Sequence, residues 1–157
     1  MSKNSPIIKI KIQNEDFDIS EETKILHQNN TGAIVNFVGV VRGHDKKNNQ
    51  IINSMTLEHY PGMTESEIEK IIVDSYKRWE LTGVTVIHRV GNLKPSDQIV
   101  FVGVSSKHRQ NAFNGCNFIM DWLKTKAPFW KVEEKNNKKN WVSFNESDNQ
   151  ALKKWEN

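Results

Sequence analysis

The first clear pattern in the chain is an alternation. Ile8, Ile10 and Ile12 are separated by Lys9 and Lys11, the two-residue period of a strand buried on one face. Ala33 to Val41 is nearly all apolar and rich in β-branched residues, as expected of a central strand. Between them, Ser20 is placed to cap a short helix carrying Ile25 and Leu26. From 51 to 60, Met55, Leu57 and His59 alternate with polar neighbours and predict another strand. The period then changes. Ile68, Ile71, Ile72, Tyr76 and Trp79 share one face of a helix. Thr64 and Glu67 have the spacing of a capping box at its start, and Gly83 marks its end. Val84 to Val90 and Gln98 to Val104 read as strands on either side of a turn containing Pro95. A third helix follows Ser105-Ser106 and buries Ala112, Phe113, Cys116, Ile119, Met120 and Leu123. Pro128 closes it, because the residue before a proline leaves the α region. Lys131 to Glu134 and Trp141 to Phe144 read as two strands joined by the loop 135–140.

The resulting order is roughly β-α-β-β-α-β-β-α-β-β. Strands in adjacent pairs imply a mixed, mainly antiparallel sheet with packed helices, an α+β fold. The 157 residues suit a single domain over 1–157. Composition adds limits. With 36% hydrophobic and 26% charged residues the chain reads as globular and soluble. The net charge of +3 favours anionic ligands but falls short of a nucleic-acid-binding signature. Lys46-Lys47 and the lysines between 135 and 139 look like solvated loops. The single cysteine, Cys116, excludes an intrachain disulfide. No signal-peptide pattern opens the chain, and no apolar run approaches the ~18 residues of a membrane span. A cytoplasmic protein is expected.

Candidate chemistry is sparse. There is no phosphate-loop motif and no dinucleotide glycine pattern. The five histidines do not fall at zinc spacing, so neither a metal nor a cofactor is expected. Ser105-Ser106-Lys107-His108-Arg109 leads from a strand into a helix, where unpaired N–H groups and the dipole favour an anion. There His108 and Arg109 either hold that anion or simply face water beside a Ser106 cap. Lys124 and Lys131 flank a bend made by Pro128, Phe129 and Trp130. Two ammonium groups held close would lower each other's proton affinity and become usable acids or bases; solvated lysines are the plainer alternative. Arg42, after Val40 and Val41, either clamps an anion in two-pronged fashion or marks a strand's exit into solvent. Gly115 within the third helix points to a close neighbour, and Cys116 lies on its apolar face.

Taken together, five segments resemble the catalytic-subunit family of molybdopterin synthases. They are Gly32 to Arg42, Leu57 to Met63, Val84 to Gly91, Ile99 to Arg109 and Phe118 to Lys131. The resemblance implies an α/β hammerhead fold and a homodimer within a heterotetramer. It also implies a ubiquitin-like small-subunit partner whose thiocarboxylated Gly-Gly tail delivers sulfur to a pterin phosphate. By the same resemblance Lys124 and Lys131 are the active-site lysines. Val40, Val41, Arg42, His108, Arg109, Val132 and Glu133 join them in substrate binding. Asn145 stands where some relatives carry arginine, and Trp122 where some carry tyrosine. An adaptor that only docks a ubiquitin-like protein would not need the converging lysines, histidine and arginines. A nucleic-acid binder would expose its aromatics among cations.

Overall fold

The computed structural model describes residues 5–45, 47, 49–135, 138–141 and 146–156. Two four-stranded sheets form the frame. The first has the order β1-β4-β6-β2, from β1 (Ile7–Gln13), β4 (Gly83–Arg89), β6 (Gln98–Ser106) and β2 (Ala33–Val40). Only β1 and β4 run parallel in it; β4–β6 and β2–β6 are antiparallel. The second, fully antiparallel, has the order β5-β3-β7-β8, from β5 (Gly91–Leu93), β3 (Ile52–His59), β7 (Phe129–Lys135) and β8 (Lys138–Trp141). The α+β class therefore holds, with the strands split between two sheets.

Strand alternation decides which residues meet the helices. Val84 and Val86 of β4 and Val100, Val102 and Val104 of β6 face one way. They pack against Ile68, Ile71 and Ile72 of α2 (Met63–Arg78) and Cys116, Phe118, Ile119 and Leu123 of α3 (Arg109–Thr125). The other face carries Ile87 and Phe101, which meet Phe17 just before α1 (Ile19–Ile25). Val41, Met55, Leu57 and Leu93 make a smaller core that includes β3 and β5. A C-terminal helix, α4 (Glu146–Lys153), leads to Trp155, whose ring lies 5.6 Å from Trp79 and 5.5 Å from Phe118. The Trp155 indole N–H donates to Asp121 at 2.6 Å, tying the chain's end to α3.

Several local expectations change. Asp18, not Ser20, caps α1, its carboxylate accepting the Glu21 N–H at 3.0 Å. The N-cap of α2 is Gly62 at φ 84°, a left-handed position that suits glycine. Glu65 reaches back to the Gly62 N–H at 2.6 Å, the reach expected of Glu67. Thr64 is freed for a longer-range task. Its hydroxyl accepts the Tyr60 N–H at 3.1 Å and donates to the Pro128 carbonyl at 2.9 Å, fixing the approach to β7. Gly91–Leu93, expected as turn, pairs with Met55 to Leu57 because Asn92 can bond Ser54 and Thr56 across the strands. Strand β8 spans Lys138–Trp141, and the expected strand residues 142–144, with Asn145, lie outside the described residues. A Cβ on Gly115 would sit 3.1 Å from Val104 and 3.3 Å from Leu81, so the helix glycine reflects close helix-on-strand packing.

Candidate active site

The site begins with a defect in a strand. The β2–β6 register shifts between Gly39 and Val40, and such a bulge redirects the side chains beyond it. A Cβ on Gly39 would lie 2.6 Å from Val100, so only glycine lets the strands approach here. After the bulge, the Val41 N–H donates to the Asp97 carbonyl and its C=O accepts the Ser96 N–H, both at 2.9 Å. Val41 is buried against Met55, Leu57 and Leu93. Its side chain and both backbone groups are thus committed to packing, while Val40 and Arg42 stand exposed on either side.

Lys124 comes from the last turn of α3, where the helix dipole favours a cation. The chain then bends tightly, with the Phe129 N–H donating to the Ala127 carbonyl at 2.9 Å. Thr64 holds the Pro128 carbonyl in that bend. On β7, Phe129 faces His59 and Lys131 faces Leu57 across the ladder, so both side chains share one face. Arg42, Lys124 and Lys131 therefore line one cavity of about 370 Å³, together with Val40, His88 and Phe129.

His88 was absent from the sequence-based site. It continues the inward series Val84, Val86 one step past the helix layer, a signal that was readable in the strand's alternation. Its ring stacks on Phe129 at 3.9 Å between centroids and 20° between planes. Nδ1 lies 2.8 Å from the Arg89 carbonyl, which can only accept, so Nδ1 carries the hydrogen and Nε2 the lone pair. Burial pushes the imidazole down to about 4, helped by the ammonium charges of Lys131 and Lys124 and by the proximity of His59. At neutral pH the ring is uncharged.

The remaining expected residues sit elsewhere. His108 is the N-cap of α3 and Arg109 its first residue, both exposed. Ser106 does not cap; its hydroxyl donates to the Glu80 carbonyl at 2.7 Å. Sixteen residues separate His108 from Lys124, roughly 24 Å along the helix axis. Val132 points to the face opposite Lys131, across from Thr56 and Trp141. Glu133 shares the Lys131 face but pairs with Lys135 at 3.1 Å. Lys135 also bonds Asp45 at 2.5 Å, pinning Asp45 to β7 and holding its carboxyl below its usual value. Cys116 is 5% exposed with its thiol toward the Val102 carbonyl, and burial pushes its pKa up to about 12. That thiol is a packing group, not a nucleophile. Among the described residues no cluster of three histidine, cysteine or acidic side chains could hold a metal. None of the described helices is long and apolar enough to cross a membrane.

Comparison with known proteins places this geometry in a context. The family model described as MoaE protein matches residues 12–126. The molybdopterin synthase catalytic subunit of Escherichia coli (strain K12) is 49% identical over 148 residues, covering 94% of this chain and 97% of that protein. The structure of the molybdopterin biosynthesis MoaE protein from Burkholderia ambifaria MC40-6 superposes with a TM-score of 0.81 at 43% identity, covering 95% and 98% of the two chains. A complex of subunits 1 and 2 of molybdopterin-converting factor from Helicobacter pylori 26695 contains a chain of the same fold, with TM-score 0.68, 22% identity and coverages of 87% and 90%.

Proposed function

The chain belongs to the MoaE protein family, and from that premise we propose that it is the catalytic subunit of a molybdopterin synthase. It is a sulfurtransferase, working as one domain across residues 1–157 in the cytoplasm. Its substrate is cyclic pyranopterin monophosphate. Its sulfur donor is the thiocarboxylated Gly-Gly tail of a ubiquitin-like small subunit. The observation that carries this reading is the meeting of Arg42, Lys124 and Lys131 in one cavity.

In each transfer the thiocarboxylate sulfur attacks a pterin side-chain carbon, forming a carbon–sulfur bond and a thioester while a carbon–oxygen bond at that carbon breaks, its oxygen departing with the electron pair on phosphate or, once protonated, as water. Water then cleaves the acyl–sulfur bond, leaving sulfur on the pterin and a carboxylate on the tail. The Lys131 ammonium stabilises the anionic tail. Lys124, lining the same cavity, supplies the proton traffic as the acyl group departs. Arg42 clamps the phosphate, and Val40 gives the cavity an apolar wall beside it. Holding tail and pterin together lowers the barrier through orientation, by up to about 7–11 kcal/mol in favourable cases. Val41 acts from behind, by anchoring Arg42. Val132 and Glu133 extend the pocket strand, Glu133 through its hold on Lys135.

His108 and Arg109 reach the phosphate from a second copy of the chain, since the length of α3 separates them from Lys124 of their own. The working assembly is a homodimer carrying two small subunits. Mixing the chain with thiocarboxylated small subunit and the cyclic pterin phosphate should yield the dithiolene. Small-subunit binding with no dithiolene formed would leave an adaptor and remove the enzymatic reading.

A further inference from the structure

We propose that His88 is a positioning residue of the sulfur-transfer site, its Nε2 lone pair accepting a hydrogen bond from the Lys131 ammonium and holding that amine toward the cavity. The inference rests on the functional reading above and adds a residue to it. Three constraints fix the imidazole. It emerges from β4 opposite Val100 of β6, its Nδ1–H is committed to the Arg89 carbonyl, and one ring face is covered by Phe129. The ring is left one polar atom, Nε2, which can only accept while the imidazole is neutral. Phe129 and Lys131 are alternate residues on one face of β7, so a ring stacked on the first stands beside the second. Both His88 and Lys131 line the cavity.

The surrounding charges keep the acceptor available. Lys131 from β7, Lys124 from α3 and His59 from β3 all disfavour a second proton on the ring, and Arg42 joins them in the cavity wall. His59 is itself turned toward Glu65, its Nε2 3.4 Å from that carboxylate. An ammonium has three donors, so a bond to His88 leaves Lys131 two for its other partners and the anionic tail. An acceptor facing an ammonium stabilises its charged form. Without His88, Lys131 should therefore lose its proton at lower pH.

The test uses the full chain in three forms: wild type, His88→Phe and His88→Gln. Phenylalanine keeps the stack and removes the acceptor; glutamine restores an acceptor near the position of Nε2. Lysines labelled at ¹³Cε are titrated by NMR, with Lys131→Met assigning the signal. His88→Phe should lower the Lys131 midpoint by about one pH unit, and His88→Gln should recover most of the shift. In the reconstituted complex, His88→Phe should lower kcat about tenfold, move the basic limb to lower pH and leave KM for the pterin within about twofold. Glutamine should rescue the rate. An unchanged Lys131 titration in both variants, or a KM increase with intact kcat, overturns the proposal. His88→Met, which also lacks a strong acceptor, replaces phenylalanine should that variant misfold. Failure of the wild-type complex to make dithiolene sinks the parent reading, while the titration still judges His88.

Discussion

The two ends of α3 offer the same kind of bait, and only one is built into a pocket. At the N-terminus, the first-turn N–H groups, His108 and Arg109 provide what an anion needs, yet both side chains are exposed, and the Ser106 hydroxyl accepts the His108 N–H while donating to the Glu80 carbonyl. At the C-terminus, Lys124 faces the exit of β2, the end of β4 and the start of β7, and together they enclose a cavity. A helix terminus supplies charge; a site needs walls from other elements. The comparison is sharpened most by Lys124→Ala, which should reduce dithiolene formation by about 10²–10³-fold while thermal unfolding and small-subunit binding stay near wild type. Undiminished turnover would take Lys124 out of the mechanism.

The N-terminal end is tested by complementation. If His108 and Arg109 serve the cavity of a second copy, Arg109→Ala and Lys124→Ala chains should each be inactive alone. Their mixture should recover about a quarter of wild-type turnover, because half the dimers are mixed and each holds one intact site. Recovery should appear only after subunits exchange, which size-exclusion chromatography of tagged chains can follow. A mixture as inactive as its parents would assign the two ends of the helix to separate tasks.

How much of this contrast was readable in the residues varies with the range of the interactions involved. The strand and helix periods place β4 to within a residue at each end and Ala112, Cys116, Ile119 and Leu123 on the buried face of α3, because burial on one face leaves a period in the sequence; Phe113, expected on that face, is 58% exposed. The meeting of Lys124 and Lys131 follows from Pro128 and the aromatic pair. Less visible was the bulge at Gly39–Val40, which buries Val41 and exposes its neighbours. A one-residue register shift leaves no mark in composition. Thr64 was misread for a related reason. Its local spacing suits a cap, but the carbonyl that accepts its hydroxyl hydrogen is 64 residues away. His88 belonged to a legible strand, and only the end of the helix layer over it made it a cavity residue.

Thr64 tests the C-terminal end with a smaller expected effect. It is fully buried, and Thr64→Val would leave the Tyr60 N–H and the Pro128 carbonyl without their partner. The cost should be about 1–3 kcal/mol, or about 2–4 °C in Tm per kcal/mol for a chain of this size. With Pro128 loosened, Lys131 should be less well placed and turnover should fall several-fold beyond any loss of folded protein. Loss of stability with full turnover at a permissive temperature would show that the bend positions itself without Thr64.

The smallest effect on turnover should come from the middle of the same helix. Cys116 is the only thiol in the chain, and in a sulfur-transfer enzyme a relay through it is the obvious rival to direct delivery by the small subunit's tail. Its surroundings oppose that role. The sulfur faces the Val102 carbonyl within the core, and burial pushes its pKa up to about 12, so almost no thiolate exists near neutral pH. Cys116→Ala should leave dithiolene formation within about twofold of wild type and cost about 1 kcal/mol of stability for the small cavity left behind. Complete loss of transfer in a variant with wild-type melting would mean that the middle of α3, not its C-terminal cavity, handles the sulfur.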